Sequence, residues 1–256
     1  MTKRQKFVLS SGVLALGFFL VQFVDYSFRY PFITGLTLMS IALSLWSLWG
    51  GVGKDATSLT LVLPALFTAG VGLFYFLLPG TLVAGIPVLI LYAIGIYALL
   101  LTSNIYAVAA ARTIALLRAA HAVGFLLTLV TAFLLFDTIF SLRWDFWANG
   151  LLLGTISFPL FLQGFWSIEL ERLPSREVLL LSASFAVIVA EVATILSFWP
   201  ITVVVASLAS TTVVYVGLGL GQAKLQQRLF ARTVKEYLLV GVIVFTTMFL
   251  TARWGG

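Results

Sequence analysis

The sequence predicts an all-α integral membrane protein, a bundle of about nine transmembrane helices. Three observations predict it. Hydrophobic residues make up 61% of the chain and charged residues 9%, with a mean hydropathy of +1.12. Soluble domains carry roughly 25% charged residues, so water cannot be the main solvent of this surface. The apolar residues fall in runs of about 18–23 without period-two alternation, which fits helices that cross a bilayer rather than barrel strands. The basic residues gather at alternate ends of those runs. Lipid offers no partner for backbone N–H and C=O groups, so each run must satisfy its own.

The first run, about 7–24, follows Lys3, Arg4 and Lys6. It has the charge and core of a signal peptide but is too long, and no small-x-small site follows it, so it reads as an uncleaved first helix. The second run, about 31–49, opens on Pro31, which suits a first helical turn. Gly50-Gly51-Val52-Gly53-Lys54 follows; a P-loop needs a glycine where Leu48 stands, so this is a plain turn. The third run, about 58–78, ends at Pro79-Gly80, and the fourth covers about 82–102. Residues 103–118, with Arg112 and Arg118, read as an interfacial helix or an extension of the flanking helices. The fifth and sixth runs, about 119–140 and 146–168, flank Ser141-Leu142-Arg143-Trp144-Asp145. A charged turn from Glu169 to Glu177 leads to the seventh run, about 178–198, and Trp199-Pro200 to the eighth, about 201–220. Residues 222–236 are basic and amphipathic, and the ninth run, about 237–251, is the shortest.

Nine spans with the N-terminus in the cytoplasm put the C-terminus outside. Of the fifteen Lys and Arg, twelve then lie inside and three (Arg29, Arg143, Arg253) outside, as the positive-inside rule requires. Basic residues spread over short loops face lipid headgroups, so the bilayer is the partner and nucleic acid is not. The tryptophans, Trp46, Trp49, Trp144, Trp147, Trp166, Trp199 and Trp254, fall at helix ends as interfacial belts. The expected location is a prokaryotic plasma membrane.

The whole chain, 1–256, reads as one transmembrane domain with a parallel 4+4+1 helix repeat. Arg29-Tyr30, Arg143-Trp144 and Arg253-Trp254 recur at intervals of about 114 and 110 residues, each after an apolar run. The repeat units are 1–117 and 118–234, with a final helix 235–256. Generic arginine–aromatic anchors at membrane interfaces are the alternative source of the same spacing.

Glu191 is the sharpest candidate for a buried polar site. It stands inside the seventh run, where a charge costs at least ~2.5–3.5 kcal/mol, and should face the bundle near Ser184 and Thr194. A protonated carboxyl bonded to a neighbouring helix is the structural alternative. Arg29, Asp137, Arg143 and Asp145 form a candidate cluster on the outer side, with Asp137 expected to pair with Arg143 or Arg29. His121 reads as a solvated interfacial histidine, Gln22 and Gln163 as interhelical hydrogen bonders. Ser207, Ser210, Val214, Gly217 and Gly221 form a small-residue stripe on the eighth helix, the mark of a packing face.

No cysteine and one histidine exclude thiolate chemistry and His-cluster metal sites. No familiar hydrolase pattern is present, and no segment outside the membrane is long enough to fold alone. No catalytic residue, cofactor or metal is assigned, and the balance leans away from an enzyme. Three functions follow in order: transport of a small or lipid-like solute with Glu191 as the polar site; a non-catalytic subunit or scaffold bound to other membrane subunits; and a lipid-modifying enzyme using the outer cluster.

Overall fold

A computed structural model describes residues 1–24, 26–49, 57–78, 82–110 and 115–252. Among these there are nine α-helices and no strand: α1 Lys3–Leu20, α2 Arg29–Leu48, α3 Thr57–Tyr75, α4 Leu82–Ala109, α5 Leu117–Ser141, α6 Phe146–Glu169, α7 Arg176–Leu196, α8 Val203–Leu225 and α9 Ala231–Thr251. Eight of them, α2 to α9, are long and apolar enough to cross a membrane. The ninth, α1, takes Lys3, Arg4 and Lys6 into its first turns, closes its start with a Thr2–Gln5 capping box, and breaks into a 3-10 turn at Val21.

The helix ends refine the sequence reading in two places. The first residues of α9 are Ala231 and Arg232 rather than Tyr237, because Arg232 and Glu236 pair at 2.9 Å one turn apart and carry the helix past its apolar part. The amphipathic stretch 222–236 is therefore not one helix. It is divided between α8 and α9 by a turn in which Gln227 is left-handed, at φ 56°. The stretch after residue 102 continues α4 to Ala109, the extension rather than the interfacial helix. The Gly50–Lys54 loop, Pro79-Gly80, Arg112, Arg253 and Trp254 lie outside the described residues, as does the Gln22 side chain.

The chain forms two compact units. The first holds Met1–Leu135 with Leu170–Leu173, the second Phe136–Glu169 with Pro174–Gly256. Within the first, α1, α2, α3 and α4 pack in a ring, each on the next and α4 back on α1. Its centre is aromatic: Phe67 stacks on Tyr92 at 5.9 Å, and Phe18 meets Tyr92 at 5.0 Å and Tyr75 at 5.2 Å. The Tyr106 hydroxyl donates to the Ala120 carbonyl at 2.9 Å, tying α4 to the start of α5.

Within the second unit, α6, α7 and α8 form a triangle and α9 rests on α8. The closest pair is α6 with α7. Gly150 and Gly154, one turn apart on α6, face Ala186, Ala190 and Thr194 of α7, and a Cβ at either glycine would meet α7 backbone. The predicted stripe on α8 is a packing face: Gly217 and Gly221 receive the rings of Phe161 and Phe165. Only 6% of α9's apolar window is buried, against 56% for α6, so α9 is the helix this fold covers least. Trp166, expected in an interfacial belt, is instead fully buried in α6.

Candidate site at the α5–α6 turn

The second unit gathers polar groups at the end predicted to face outside. Helix α5 stops at Ser141, and Arg143 closes it in the left-handed conformation, at φ 52°, with its N–H donating to the Phe140 carbonyl at 3.2 Å. Glycine usually fills that position; a side chain there costs on the order of 1–2 kcal/mol. The Asp145 carbonyl then accepts from Ala148 and Asn149 N–H, at 2.9 and 3.1 Å, and starts α6. The turn between the two helices is thus short and bonded at both ends.

Asn149 holds the turn to α7. Its Nδ2 donates to the Trp144 carbonyl at 3.3 Å and to Ser197 Oγ at 3.1 Å, while Ser197 donates to the Ala193 carbonyl at 2.9 Å. Asn149 is 4% exposed, and its Oδ1 is buried with no hydrogen-bond partner. Two cavities meet at this turn. One, of about 580 Å³, is walled by Arg143, Trp144, Asn149, Ser197, Trp199 and Thr202, among others. The other, of about 520 Å³, lies along the outer side of α6 and is walled by Arg143, Trp144, Asp145, Trp147 and Leu151, among others. Arg143 and Trp144 belong to both walls. An always-charged guanidinium fork on the wall of both cavities is a donor set for an anion.

Asp137 sits one and a half turns before Arg143 on α5, buried at 5% exposure. It hydrogen bonds with Ser207 of α8 and not with Arg143; its Oδ1 has no partner. Arg29 opens α2 in the first unit, with its guanidinium carbon 5.3 Å from the Phe76 ring centre. The structure therefore brings Arg143 and Asp145 to one cavity wall, leaves Asp137 out of both walls, and gives Arg29 an aromatic neighbour.

The expectation that Glu191 faces the bundle is corrected. Glu191 and Ser184 are both exposed on α7. The buried face of α7 is Val178, Ser182, Ala186, Val189, Ala193 and Leu196, the strip that meets the α6 glycines. Glu191 stands two residues from both Val189 and Ala193, and two residues turn a helix by about 200°, so it points away. Thr194 does not share its face: its hydroxyl donates to the Ala190 carbonyl at 2.8 Å and lies against Gly150. His121 is half-buried with its ring 5.7 Å from Tyr106, and Gln163 is buried at 4% exposure.

Sequence reading missed Asn149, Ser197 and Thr202. The signal was present for Asn149, a full amide one turn inside an apolar helix. Ser197 and Thr202 are ordinary at helix ends and become notable only when α6, α7 and α8 are assembled. No group of three metal-ligating side chains occurs among the described residues.

The model of one protein family, described as "Protein of unknown function (DUF5656)", matches residues 31–251. The chain belongs to the DUF5656 family. The match begins at Pro31 in α2 and runs to the end of α9, so the DUF5656 region contains the Arg143 turn, both cavities and the outward face of α7. No curated protein matches the chain, and no solved structure matches it.

Proposed function

We propose that this polytopic membrane protein, in a prokaryotic plasma membrane, binds and moves a small lipid-like solute whose anionic head sits against Arg143. The supporting observation is the meeting of two cavities at Arg143 and Trp144. The half-polar cavity, with Asn149, Ser197 and Thr202, is of headgroup size and chemistry. The neighbouring groove beside Leu151 and Trp147 is apolar and continues down α6, as an acyl chain would. Of the small or lipid-like solutes expected from the sequence, the lipid-like class is the one this reading keeps, and its site moves from Glu191 to the α5–α6 turn.

The test is native mass spectrometry of the detergent-purified protein, with and without Arg143→Gln. The wild-type protein should retain an anionic amphiphile through collisional removal of detergent, and Arg143→Gln should lose at least ten-fold of it. The proposal fails where wild type and Arg143→Gln retain equal amounts, or where neither retains any. Transport is tested separately, by movement of the retained amphiphile between vesicle leaflets.

A second reading, a subunit of a larger membrane assembly, is favoured by α9, most of whose apolar surface is uncovered. Purification from native membranes that yields a partner in fixed ratio would support it.

A further inference from the structure

The outward face of α7 carries a pattern that neither its own fold nor lipid explains. Leu180, Ser184, Val187, Glu191 and Ile195 are all exposed and follow one another at spacings of four, three, four and four. At 100° per residue they fall within an arc of about 80°, directly opposite the buried strip. The spacing approaches that of a coiled-coil seam, with Ser184 and Glu191 one heptad apart at equivalent positions. Among the described residues Glu191 has neither a hydrogen bond nor an ion pair. It lies five residues, about 7–8 Å, before the last residue of α7, within the apolar span.

We infer that this face is a docking surface for a second copy of the chain, joined α7 to α7. Copies in one membrane share one orientation, so a twofold axis between them runs along the membrane normal and the two α7 helices cross in parallel. Each stripe residue then meets its own counterpart. Apolar Leu180, Val187 and Ile195 meet apolar side chains; Ser184 meets Ser184 and Glu191 meets Glu191. Two facing carboxyl groups can pair by an interhelical hydrogen bond, which removes the cost of a lone acid against lipid. The stripe is thus complementary to itself, whereas a lipid tail offers Glu191 nothing. A polar residue at such a position also fixes register and favours two strands. None of the five stripe residues walls the Arg143 cavities, so the two sites stand or fall separately.

The chain has no cysteine, so single introduced cysteines report position without background. Ser184→Cys and Val187→Cys should cross-link oxidatively in native membranes at least ten-fold more than Leu179→Cys, an exposed position about 120° off the stripe. In vesicles diluted with lipid, Glu191→Ala should weaken dimerisation about three- to thirtyfold, the range expected for interhelical hydrogen bonds, while Glu191→Gln keeps it. These positions are exposed, so the substituted proteins should fold; unchanged monomer elution confirms it. Equal cross-linking at Leu179→Cys, or a wild-type chain that stays monomeric at every dilution, overturns the inference. So does a cross-linked product whose mass shows a different protein.

Discussion

In the first unit α1, α3 and α4 meet around the rings of Phe18, Phe67 and Tyr92, and in the second α6 meets α7 through glycine. Gly72 of α3 and Gly95 of α4 each face a side chain, Ile33 and Phe67, and no backbone of the neighbouring helix. Gly150 and Gly154 of α6 face the carbonyls of Ala190 and Ala186, which cannot shift without moving α7. A contact with backbone fixes the spacing of two helices; a contact with a ring only limits it. The difference places precision where the α5–α6 turn needs it, because Asn149 is the neighbour of Gly150 and its bond to Ser197 spans the same helix pair.

The glycines give that difference its largest test. Ala at Gly150 puts a Cβ against Thr194 Oγ1 and 3.0 Å from the Ala190 carbonyl, and the helices must part. Overpacking of this kind costs ~1–3 kcal/mol, against a gain near ~1 kcal/mol from replacing glycine within a helix. Gly150→Ala should therefore lower the melting temperature of the detergent-solubilised protein. Gly72→Ala meets the Ile33 side chain and no backbone, so it should lower the melting temperature by less. Equal shifts for the two substitutions would end the distinction between the units.

The class of fold was legible because lipid imposes composition, run length and charge bias on every residue of the chain. The glycine contacts were half legible: the α8 stripe is visible as spacing, but Gly150 and Gly154 matter through the partner they face. Glu191 misled for the same reason. Depth along a helix can be counted from its sequence, whereas the face it turns inward depends on which strip packs, and Ala186, Ala190 and Ala193 carry no polar signal. Trp166 lay at a helix end like its interfacial counterparts, and only packing shows it to be core. The repeated arginine–aromatic pairs also differ in backbone: Arg29 begins a helix, and Arg143 is a left-handed residue after one.

A second contrast concerns buried polar pairs. In the first unit the Thr68 hydroxyl donates to the Pro64 carbonyl at 2.8 Å, so its one proton is used and Tyr92 must be the donor in their 3.1 Å bond. Thr68→Val would strand the Tyr92 hydroxyl in the aromatic core and should cost ~1–2 kcal/mol in thermal or denaturant unfolding. Asn149→Leu in the second unit removes both Nδ2 bonds, to the Trp144 carbonyl and to Ser197 Oγ, together with an oxygen that has no partner, and Ser197 keeps its own bond to Ala193. That substitution should cost ~1 kcal/mol or less, because removal of the unpaired oxygen offsets part of the lost bonds, while reducing the amphiphile retained. Unchanged retention of the amphiphile would mean that Asn149 serves the fold and not the cavity.

The smallest expected effect tests the backbone at Arg143. Arg143→Gly relieves a left-handed side chain and should raise stability by ~1 kcal/mol or a little less, offset in part by the greater freedom of glycine in the unfolded chain. Leu170→Gly, at φ 55° after α6, applies the same relief at a residue that walls neither of the two cavities at the α5–α6 turn. Both should therefore move the melting temperature upward by similar amounts. Only Arg143→Gly should also lose the retained amphiphile. A protein that kept a strained arginine only as a helix stop would show two equal gains and no change in binding, and the case for Arg143 as an anion contact would fall with that result.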